Sequence, residues 1–298
     1  MNVNNNILDC INALKNKDFE YMIKIQSSKK DFYNGIPFKD IENYSHIWDA
    51  KMLVDGMNFL LEHQYFYKVN DHENVGMACF LQKKISKFVI VIPGGGYSMV
   101  AHVQEGYPVA KALYEKGYHV FVLNYSVGTN AIQSFDDLND CISIILSKQK
   151  EWMIDIKDYM IVGFSAGAHL AAGYCTKILN YTLPKPAALV LGYPVITMHE
   201  YTHIGSRDNL LGNHIELYDM YSIEKNIDSS YPKVYVWQCD KDNSVSIENS
   251  RLLVEQLKNY NIEHYYRTYP STVHGYSLGT NTIVEGWLEE AIELLEEG

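Results

Sequence analysis

The chain has 298 residues, of which 47% are hydrophobic and 20% are charged, a balance typical of a globular protein and not of a disordered or membrane-embedded chain. Its 25 basic and 36 acidic side chains give a formal net charge of −11. An acidic protein lacks the basic surface that binds nucleic acid or anionic lipid without specificity. We therefore expect no nucleic-acid and no membrane partner, and a small uncharged or cationic substrate is compatible with the charge.

The five cysteines are scattered along the chain, without a Cys-x-x-Cys pair or the Cys/His spacing of a zinc site. Residues 1–9 are rich in asparagine and have neither the basic nor the apolar region of a secretory signal. No apolar run reaches the roughly 20 residues that cross a bilayer. These features predict a cytoplasmic protein with neither a disulfide framework nor a metal site.

The first elements along the chain are predicted helices. Residues 6–30 and 38–64 carry apolar side chains at helical spacing, and a glycine and a proline that break helices separate the two stretches. The pattern changes near residue 70. We expect residues 1–65 to form a helical N-terminal extension and residues 66–298 to form the main domain.

Beyond residue 70, short apolar runs alternate with segments of helical pattern. The predicted strands are 88–92, 118–123, 159–162, 187–191, 233–237 and 263–268. The predicted helices are 103–116, 135–150, 166–179, 247–260 and 282–296. Such alternation is typical of parallel strands joined by crossover helices. The nearly continuous apolar strands predict an α/β fold, with a mostly parallel central sheet covered by helices on both faces. Function is then expected at the carboxyl ends of the strands.

The first candidate loop is GFSAG at residues 163–167, between a predicted strand and a predicted helix. A serine on such a tight turn is lifted out of the sheet, and flanking glycines permit the close backbone approach that this turn requires. Ser165 is therefore a candidate nucleophile. The alternative is a glycine-rich turn with an incidental serine.

The second candidate loop is PGGG at residues 93–96, directly after a predicted strand. The main-chain N–H groups of Gly95 and Gly96, together with that of Ala166 after the nucleophile, predict an oxyanion hole. A plain turn or a phosphate-binding loop are the alternatives. The phosphate alternative is disfavoured, because no Lys-Ser/Thr follows and the spacing is not G-x-G-x-x-G.

An acid and a histidine follow the last predicted strands. Asp242 lies three residues before Val245, in the D-x-x-V arrangement common at this loop in serine hydrolases, and Asp240 is the reserve candidate. A solvated acidic turn is the alternative. His274 precedes the last predicted helix, and its side chain has a pKa suited to general-base catalysis. The order Ser165, Asp242, His274 is that of the α/β-hydrolases.

With these motifs in this order, the chain resembles an α/β-hydrolase of the esterase/lipase type, and is similar to bacterial acetyl-esterase and xylan-esterase-like proteins. The resemblance covers residues 88–298. The matching segments are IPGGGY (92–97), EGYPVAKAL (105–113), GYHVFVLNYSVG (117–128), GFSAGAHLAA (163–172), LGYPVITM (191–198), GSRDNLLG (205–212), WQCDKDNSVSIENS (237–250) and VHGYSLG (273–279). Two features depart from relatives. The glycine motif lacks the leading histidine of hormone-sensitive-lipase-like proteins, and WQCDKD has glutamine where a histidine is expected after tryptophan.

The resemblance implies acyl transfer through an acyl-enzyme, without a cofactor or a metal. Ser165 would attack an ester carbonyl while His274 takes its proton, and Asp242 would orient the imidazole. We expect a serine carboxylesterase acting on short-chain acyl esters, with acetyl as a candidate acyl group and a sugar as a candidate alcohol. A serine peptidase or amidase of the same fold and a non-catalytic binding relative are the alternatives.

Further residues are candidates for substrate contact. Tyr97 and His102, near the glycine loop, are predicted to bind substrate, whereas His169 is predicted to be a packed helix residue. The resemblance places a possible small cap at residues 197–231, where some polar side chains are expected on the leaving-group side: His199, Tyr201, His203, Arg207 and Asp208. Residues 1–65 are expected to pack on the main domain, to cover its cleft or to form a homodimer.

Overall fold

The computed structural model describes residues 1–25, 30–41, 43, 49–128, 131–177 and 181–296. Within these residues, one sheet contains eight strands. They are β1 Phe66–Lys68, β2 Gly76–Phe80, β3 Ser86–Ile92, β4 His119–Asn124, β5 Ile154–Phe164, β6 Ala188–Gly192, β7 Lys233–Cys239 and β8 His264–Tyr269. Their spatial order is β1-β2-β4-β3-β5-β6-β7-β8.

The sheet is mostly parallel, as predicted. Strands β3 to β8 pair in parallel, and only β2 pairs antiparallel, with β1 on one side and β4 on the other. All six predicted strands are present, each within a few residues of its predicted bounds. β1 and β2 are not among the predicted strands. β1 has three residues, is only partly buried and has little apolar pattern to reveal it, whereas β2 is a fully buried strand of five residues.

The described α-helices lie around this sheet. They are α1 Ile7–Ala13, α2 Lys30–Gly35, α3 Phe38–Ile41, α4 Ala50–His63, α5 Tyr107–Glu115, α6 Ala131–Ser147, α7 Ala166–Tyr174, α8 Ile204–Leu211, α9 Tyr218–Tyr221, α10 Glu248–Asn259 and α11 Trp287–Glu296. Short 3₁₀ turns occur at Lys17–Met22, Ile215–Leu217 and Ile223–Lys225, and a π-helical turn at His102–Gly106. None of the described helices combines the length and apolarity needed to span a bilayer.

The predicted helix 6–30 is interrupted. The structure shows α1, then the 3₁₀ turn, and then α2 from Lys30 onward, while residues 26–29 lie outside the described residues. Asn6 and Asp9 begin α1 with reciprocal side-chain to main-chain hydrogen bonds, a capping box.

The predicted helix 38–64 is also divided. It consists of α3 and α4, with residues 42 and 44–48 outside the described part of the chain. Asp49 begins α4 by accepting the N–H of Met52 at 2.6 Å.

The predicted helix 166–179 ends at Tyr174 as α7, and its last predicted residues, 178 and 179, are outside the described residues. Its first residues follow β5 directly, without a connecting loop. The site described below depends on this abrupt change from strand to helix.

Alternate residues of β3 define the two faces of the sheet. Phe88, Ile90 and Ile92 belong to one hydrophobic cluster, whereas Val89 and Val91 belong to another on the opposite face. The N-terminal helices join the second cluster. Leu53 of α4 is buried there together with residues of β3 and α11.

α4 approaches the main domain closely. A Cβ on Gly56 would lie 2.9 Å from the main-chain nitrogen of Pro108 in α5, so glycine permits this contact. Phe59 stacks on Phe80 of β2 with ring centroids 4.5 Å apart. The described part of residues 1–65 therefore packs on the sheet and α5, and the division of the chain at residue 65 stays a prediction.

We expect Leu53→Ala to lower the free energy of unfolding by about 2–5 kcal/mol, because it leaves a cavity in a core shared by both parts of the chain. Denaturant unfolding with circular dichroism measures this. Lys51→Ala, on the exposed side of the same helix, is the control and should change the value by less than about 0.5 kcal/mol. A Leu53→Ala protein with unchanged stability would show that α4 is not part of that core.

Candidate active site

Ser165 lies on the turn between β5 and α7 with φ 51° and ψ −117°. A positive φ is strained for a residue with a side chain and persists only where the surrounding structure holds it. Here the N–H of Ser165 donates to the carbonyl of Gly192 at 3.0 Å, and its own carbonyl accepts the N–H of Val195 at 3.2 Å. The turn is thereby fixed to the end of β6.

The two glycines that flank this turn have no room for a side chain. A Cβ on Gly163 would lie 2.7 Å from the Cα of Ala168, and a Cβ on Gly167 would lie 2.2 Å from the carbonyl oxygen of Ile92. The beginning of α7 thus contacts the backbone at the end of β3. The spacing G-x-S-x-G is a steric requirement of this turn.

The structure brings the three predicted catalytic side chains into one hydrogen-bonded chain. His274 Nε2 lies 3.0 Å from Ser165 Oγ, and His274 Nδ1 lies 2.7 Å from Asp242 Oδ2. If Nδ1 carries the proton and donates it to Asp242, Nε2 is free to accept the proton of Ser165. The arrangement is the one that activates a serine nucleophile, and the catalytic roles stay predictions.

The Asp242 carboxylate is completely buried and well supplied with donors. Its Oδ1 accepts the main-chain N–H groups of Ser244 and Val245 at 2.9 and 3.0 Å. Its Oδ2 receives a longer contact of 3.3 Å from the amide of Gln238 in addition to His274. These donors stabilise the charged form of the acid that faces the imidazole.

Asp240, the reserve candidate, is exposed at the end of β7. Gln238, at the position where the resemblance predicts a histidine, is buried beneath the loop that carries Asp242. Its amide donates to the carbonyl of Val245 at 2.7 Å and its oxygen accepts the hydroxyl of Ser250 at 2.6 Å. Gln238 therefore holds the loop of Asp242 and does not line the cleft.

The glycine loop after β3 has the backbone of an oxyanion hole. Gly95 and Gly96 have φ values of 127° and 63°, and a Cβ on Gly95 would lie 2.1 Å from the carbonyl oxygen of Met99. The N–H groups of Gly95, Gly96 and Ala166 find no acceptor among the described residues. Three free donors around Ser165 are compatible with the predicted oxyanion hole, which the structure does not test further.

Tyr97 and His102 do not line the cleft, so the prediction that they bind substrate is wrong. Tyr97 is fully buried, and its hydroxyl donates to His169 Nδ1 at 2.8 Å. His169 Nε2 in turn lies 2.8 Å from the carbonyl of Tyr221, which places this histidine within the core. His102 is 1% exposed and its ring stacks on that of Tyr107.

A cavity of about 470 Å³ opens beside Ser165 and His274. Its wall is formed by the glycine loop, the π-helical turn and the start of α8. The polar side chains that line it, apart from Ser165 and His274, are Ser98, Gln104, Glu105, His203, Asn209 and Ser244. Among the described residues, no group of three or more acidic, histidine or cysteine side chains has the arrangement of a metal site.

His203 was named only as one of several residues in the possible cap, and the structure places it in the cavity wall. Its Nδ1 accepts the N–H of Ser206 at 3.2 Å and lies 2.8 Å from the Ser206 hydroxyl, so the proton of the neutral ring is on Nε2. Burial, and secondarily the nearby His274, lower the pKa of His203. Its ring therefore stays neutral near pH 7. Whether residues 197–231 act as a cap stays a prediction.

Comparisons with known proteins agree with this architecture. The BD-FAE family model matches residues 80–188. A solved sugar hydrolase from Lactococcus lactis is 28% identical with a TM-score of 0.69, and the match covers 78% of this chain and 97% of that one. An acetyl ester-xyloside bifunctional hydrolase from Caldicellulosiruptor lactoaceticus is 27% identical with a TM-score of 0.68, covering 78% and 94%. The chain has the α/β-hydrolase fold. This confirms the fold predicted from its motifs.

Curated relatives of this hydrolase fold are esterase and xylanase proteins. An acetylxylan esterase from Xylanibacter ruminicola is 30% identical over 256 residues, which is 83% of this chain and 52% of that protein. Endo-1,4-beta-xylanase B from Butyrivibrio fibrisolvens is 28% identical over 280 residues, 87% of this chain and 42% of that protein. The chain thus spans about half the length of these relatives. The predicted resemblance to bacterial xylan-esterase-like proteins is confirmed.

We expect a fluorophosphonate probe to label the protein on Ser165, and Ser165→Ala to abolish the labelling. Asp242→Asn should slow labelling by a factor on the order of 10³–10⁴, because the amide favours the wrong tautomer of His274. Asp240→Asn is the matched control and should label at nearly the wild-type rate. Equal, mild effects of the two Asn variants would contradict the assignment of Asp242. Intact-protein mass spectrometry over time measures the rates.

Proposed function

We propose that the chain is a serine esterase that hydrolyses short-chain carboxylic esters. The observation that carries the proposal is the hydrogen-bonded chain Ser165–His274–Asp242, with distances of 3.0 and 2.7 Å, at the wall of an accessible cavity. A strained serine, a correctly oriented imidazole and a buried carboxylate are what nucleophilic catalysis at an acyl carbon requires. The esterase relatives support the same reaction class.

The proposed reaction has two symmetrical halves. Ser165 Oγ bonds to the ester carbon while His274 Nε2 takes its proton, and the carbonyl electrons move to oxygen. The N–H groups of the oxyanion loop stabilise this oxyanion. The intermediate then collapses, the C–O bond to the alcohol breaks, and the alcohol leaves with the proton from His274. Water repeats the sequence on the acyl-serine and releases the acid and free Ser165.

The proposed substrate is the acetyl ester of a sugar. Two of the relatives named above, an acetylxylan esterase and an acetyl ester-xyloside bifunctional hydrolase, support this choice by their names. Polar side chains around the cavity, such as Ser98, His203 and Ser244, provide hydrogen-bonding groups for the hydroxyls of such an alcohol. His203 is of particular interest, because its neutral Nε2–H is a donor in the cavity wall.

We expect the protein to hydrolyse p-nitrophenyl acetate, with kcat/KM falling as the acyl chain lengthens. Ser165→Ala should reduce kcat/KM by about 10⁶, because it removes the nucleophile. Release of p-nitrophenolate measures the rate. Retained turnover in this variant would contradict the esterase mechanism, and turnover of acyl amides without turnover of esters would favour an amidase.

We expect His203→Asn to raise KM for an acetylated xylo-oligosaccharide by about 2–10-fold, because one hydrogen bond to the alcohol is lost. KM for p-nitrophenyl acetate should stay nearly unchanged. Asparagine keeps an acceptor for the N–H of Ser206 at the start of α8 but has no donor that reaches as far as Nε2. The initial rate of acetate release gives KM for both substrates. His199→Asn, in the same segment but outside the cavity wall, is the control. Equal changes for the two substrates would show that His203 does not bind the alcohol.

A further inference from the structure

A second buried carboxylate lies beside the proposed catalytic groups. Glu105 belongs to the π-helical turn that precedes α5, lines the cavity and is only 6% exposed. Its Oε2 accepts the N–H of Gly94 at 2.6 Å, and its Oε1 accepts the hydroxyl of Tyr193 at 2.7 Å. The mechanism proposed above assigns no role to this side chain.

Both oxygens of Glu105 accept hydrogen bonds, a pattern that favours the charged carboxylate. The N–H of Gly94 can only donate. The Tyr193 hydroxyl oxygen accepts the N–H of Ser277 at 3.2 Å, which leaves its hydrogen to be donated to Glu105. Burial, the largest effect, raises the pKa of Glu105 above its ordinary value, and the Tyr193 hydroxyl, the Gly94 N–H and the nearby His274 partly offset this rise.

One oxygen of Glu105 fixes the oxyanion loop. Gly94 directly precedes Gly95, and a Cβ on Gly94 would lie 2.9 Å from the Cβ of Ser165 and 3.0 Å from Glu105 Oε2. Gly94 is thus held between the nucleophile and the carboxylate. Because its N–H is bound to Glu105, the direction of the N–H groups that follow it is also set.

The other oxygen reaches the loop that carries His274. The ring of Tyr193 packs edge-on against the imidazole of His274, with centroids 4.7 Å apart and planes at 65°. The hydroxyl of Ser277 donates to the carbonyl of Gln104, the residue before Glu105, at 2.6 Å. The π-helical turn and the histidine loop are therefore linked at two points.

We propose that Glu105 is a positioning residue. Its carboxylate holds the oxyanion loop and the His274 loop in a fixed position relative to each other, and it places a second negative charge near the imidazolium formed during catalysis. The inference rests on the proposed esterase function. The other titratable groups around this pair are Asp242, bonded to the imidazole, His203, and two buried tyrosines, Tyr193 and Tyr125. Of these groups, Glu105 and Asp242 are the two carboxylates.

The test compares variants that change the charge of the side chain at position 105 with variants that change its length. Glu105→Gln keeps the size and one acceptor oxygen but removes the charge. We expect kcat for p-nitrophenyl acetate to fall about tenfold or more and KM to change less than about threefold. Removal of an oxyanion donor itself lowers kcat by about 10²–10³-fold, and a donor that is only displaced should lose a part of that effect. The acid limb of the kcat/KM profile should move to lower pH, because a charge that favours the protonated imidazole is lost.

Two further variants complete the comparison. Glu105→Asp retains the charge but is one methylene shorter, so kcat should fall while the acid limb moves less than in Glu105→Gln. Tyr193→Phe keeps the ring against His274 and removes one of the two donors to Glu105, so kcat should fall. Because the loss of this donor raises the pKa of Glu105 further, the acid limb should move in the same direction as in Glu105→Gln, but less far. Glu115→Gln, on the exposed end of α5, is the control and should match wild type.

A Glu105→Gln protein with wild-type kcat and an unmoved acid limb would overturn the proposal, and so would a loss of thermal stability without either kinetic change. The rate of fluorophosphonate labelling of Ser165 measures the same network without an ester substrate. If wild type labels but hydrolyses no ester, the esterase function fails while slower labelling of Glu105→Gln still supports the role of Glu105. If wild type neither labels nor hydrolyses, both proposals fail.

Discussion

The site depends on one backbone constraint, the turn that holds Ser165 at φ 51° between a strand and a helix. Such a conformation costs about 1–3 kcal/mol and needs support from its surroundings. The support comes from the end of β6, through the N–H bond to Gly192, and from the end of β3, which α7 contacts where Gly167 has no side chain. Because β3 also leads directly into the glycine loop, the same contact sets the proposed nucleophile and the proposed oxyanion donors relative to each other.

A second constraint acts on the carboxylates near the imidazole: each is buried only where hydrogen-bond donors contact its oxygens. Asp242 receives two main-chain N–H groups in addition to His274, and Glu105 receives one main-chain N–H and a tyrosine hydroxyl. A buried carboxylate without such partners would take up a proton and lose its charge. Two carboxylates with such partners can therefore lie near His274, where they would favour protonation of the imidazole in the proposed reaction.

The motif residues could be predicted from the sequence because each depends on a local rule. A serine between glycines after an apolar strand, and a histidine after the last strand, are visible without knowledge of the fold. The sequence predicted Tyr97 and His102 to lie in the cleft because they are close to the glycine loop in sequence. Closeness in sequence does not determine the direction in which a side chain points. Tyr97 itself has φ 56°, and the chain turns its ring into the core beside His169. The sequence does not single out Glu105, since its partner Tyr193 is 88 residues away.

The N-terminal segment bears on the site through α5. The π-helical turn that carries Glu105 runs directly into α5, whose second residue, Pro108, contacts Gly56 of α4. At the start of the same helix, the buried hydroxyl of Tyr107 donates to the carbonyl of Met22 at 2.6 Å. The position of Glu105 is thus fixed from the cavity side by its hydrogen bonds and from the other side by the contacts of α5 with Gly56 and Met22. A segment far from the catalytic serine in sequence thereby contributes to the geometry of the oxyanion loop.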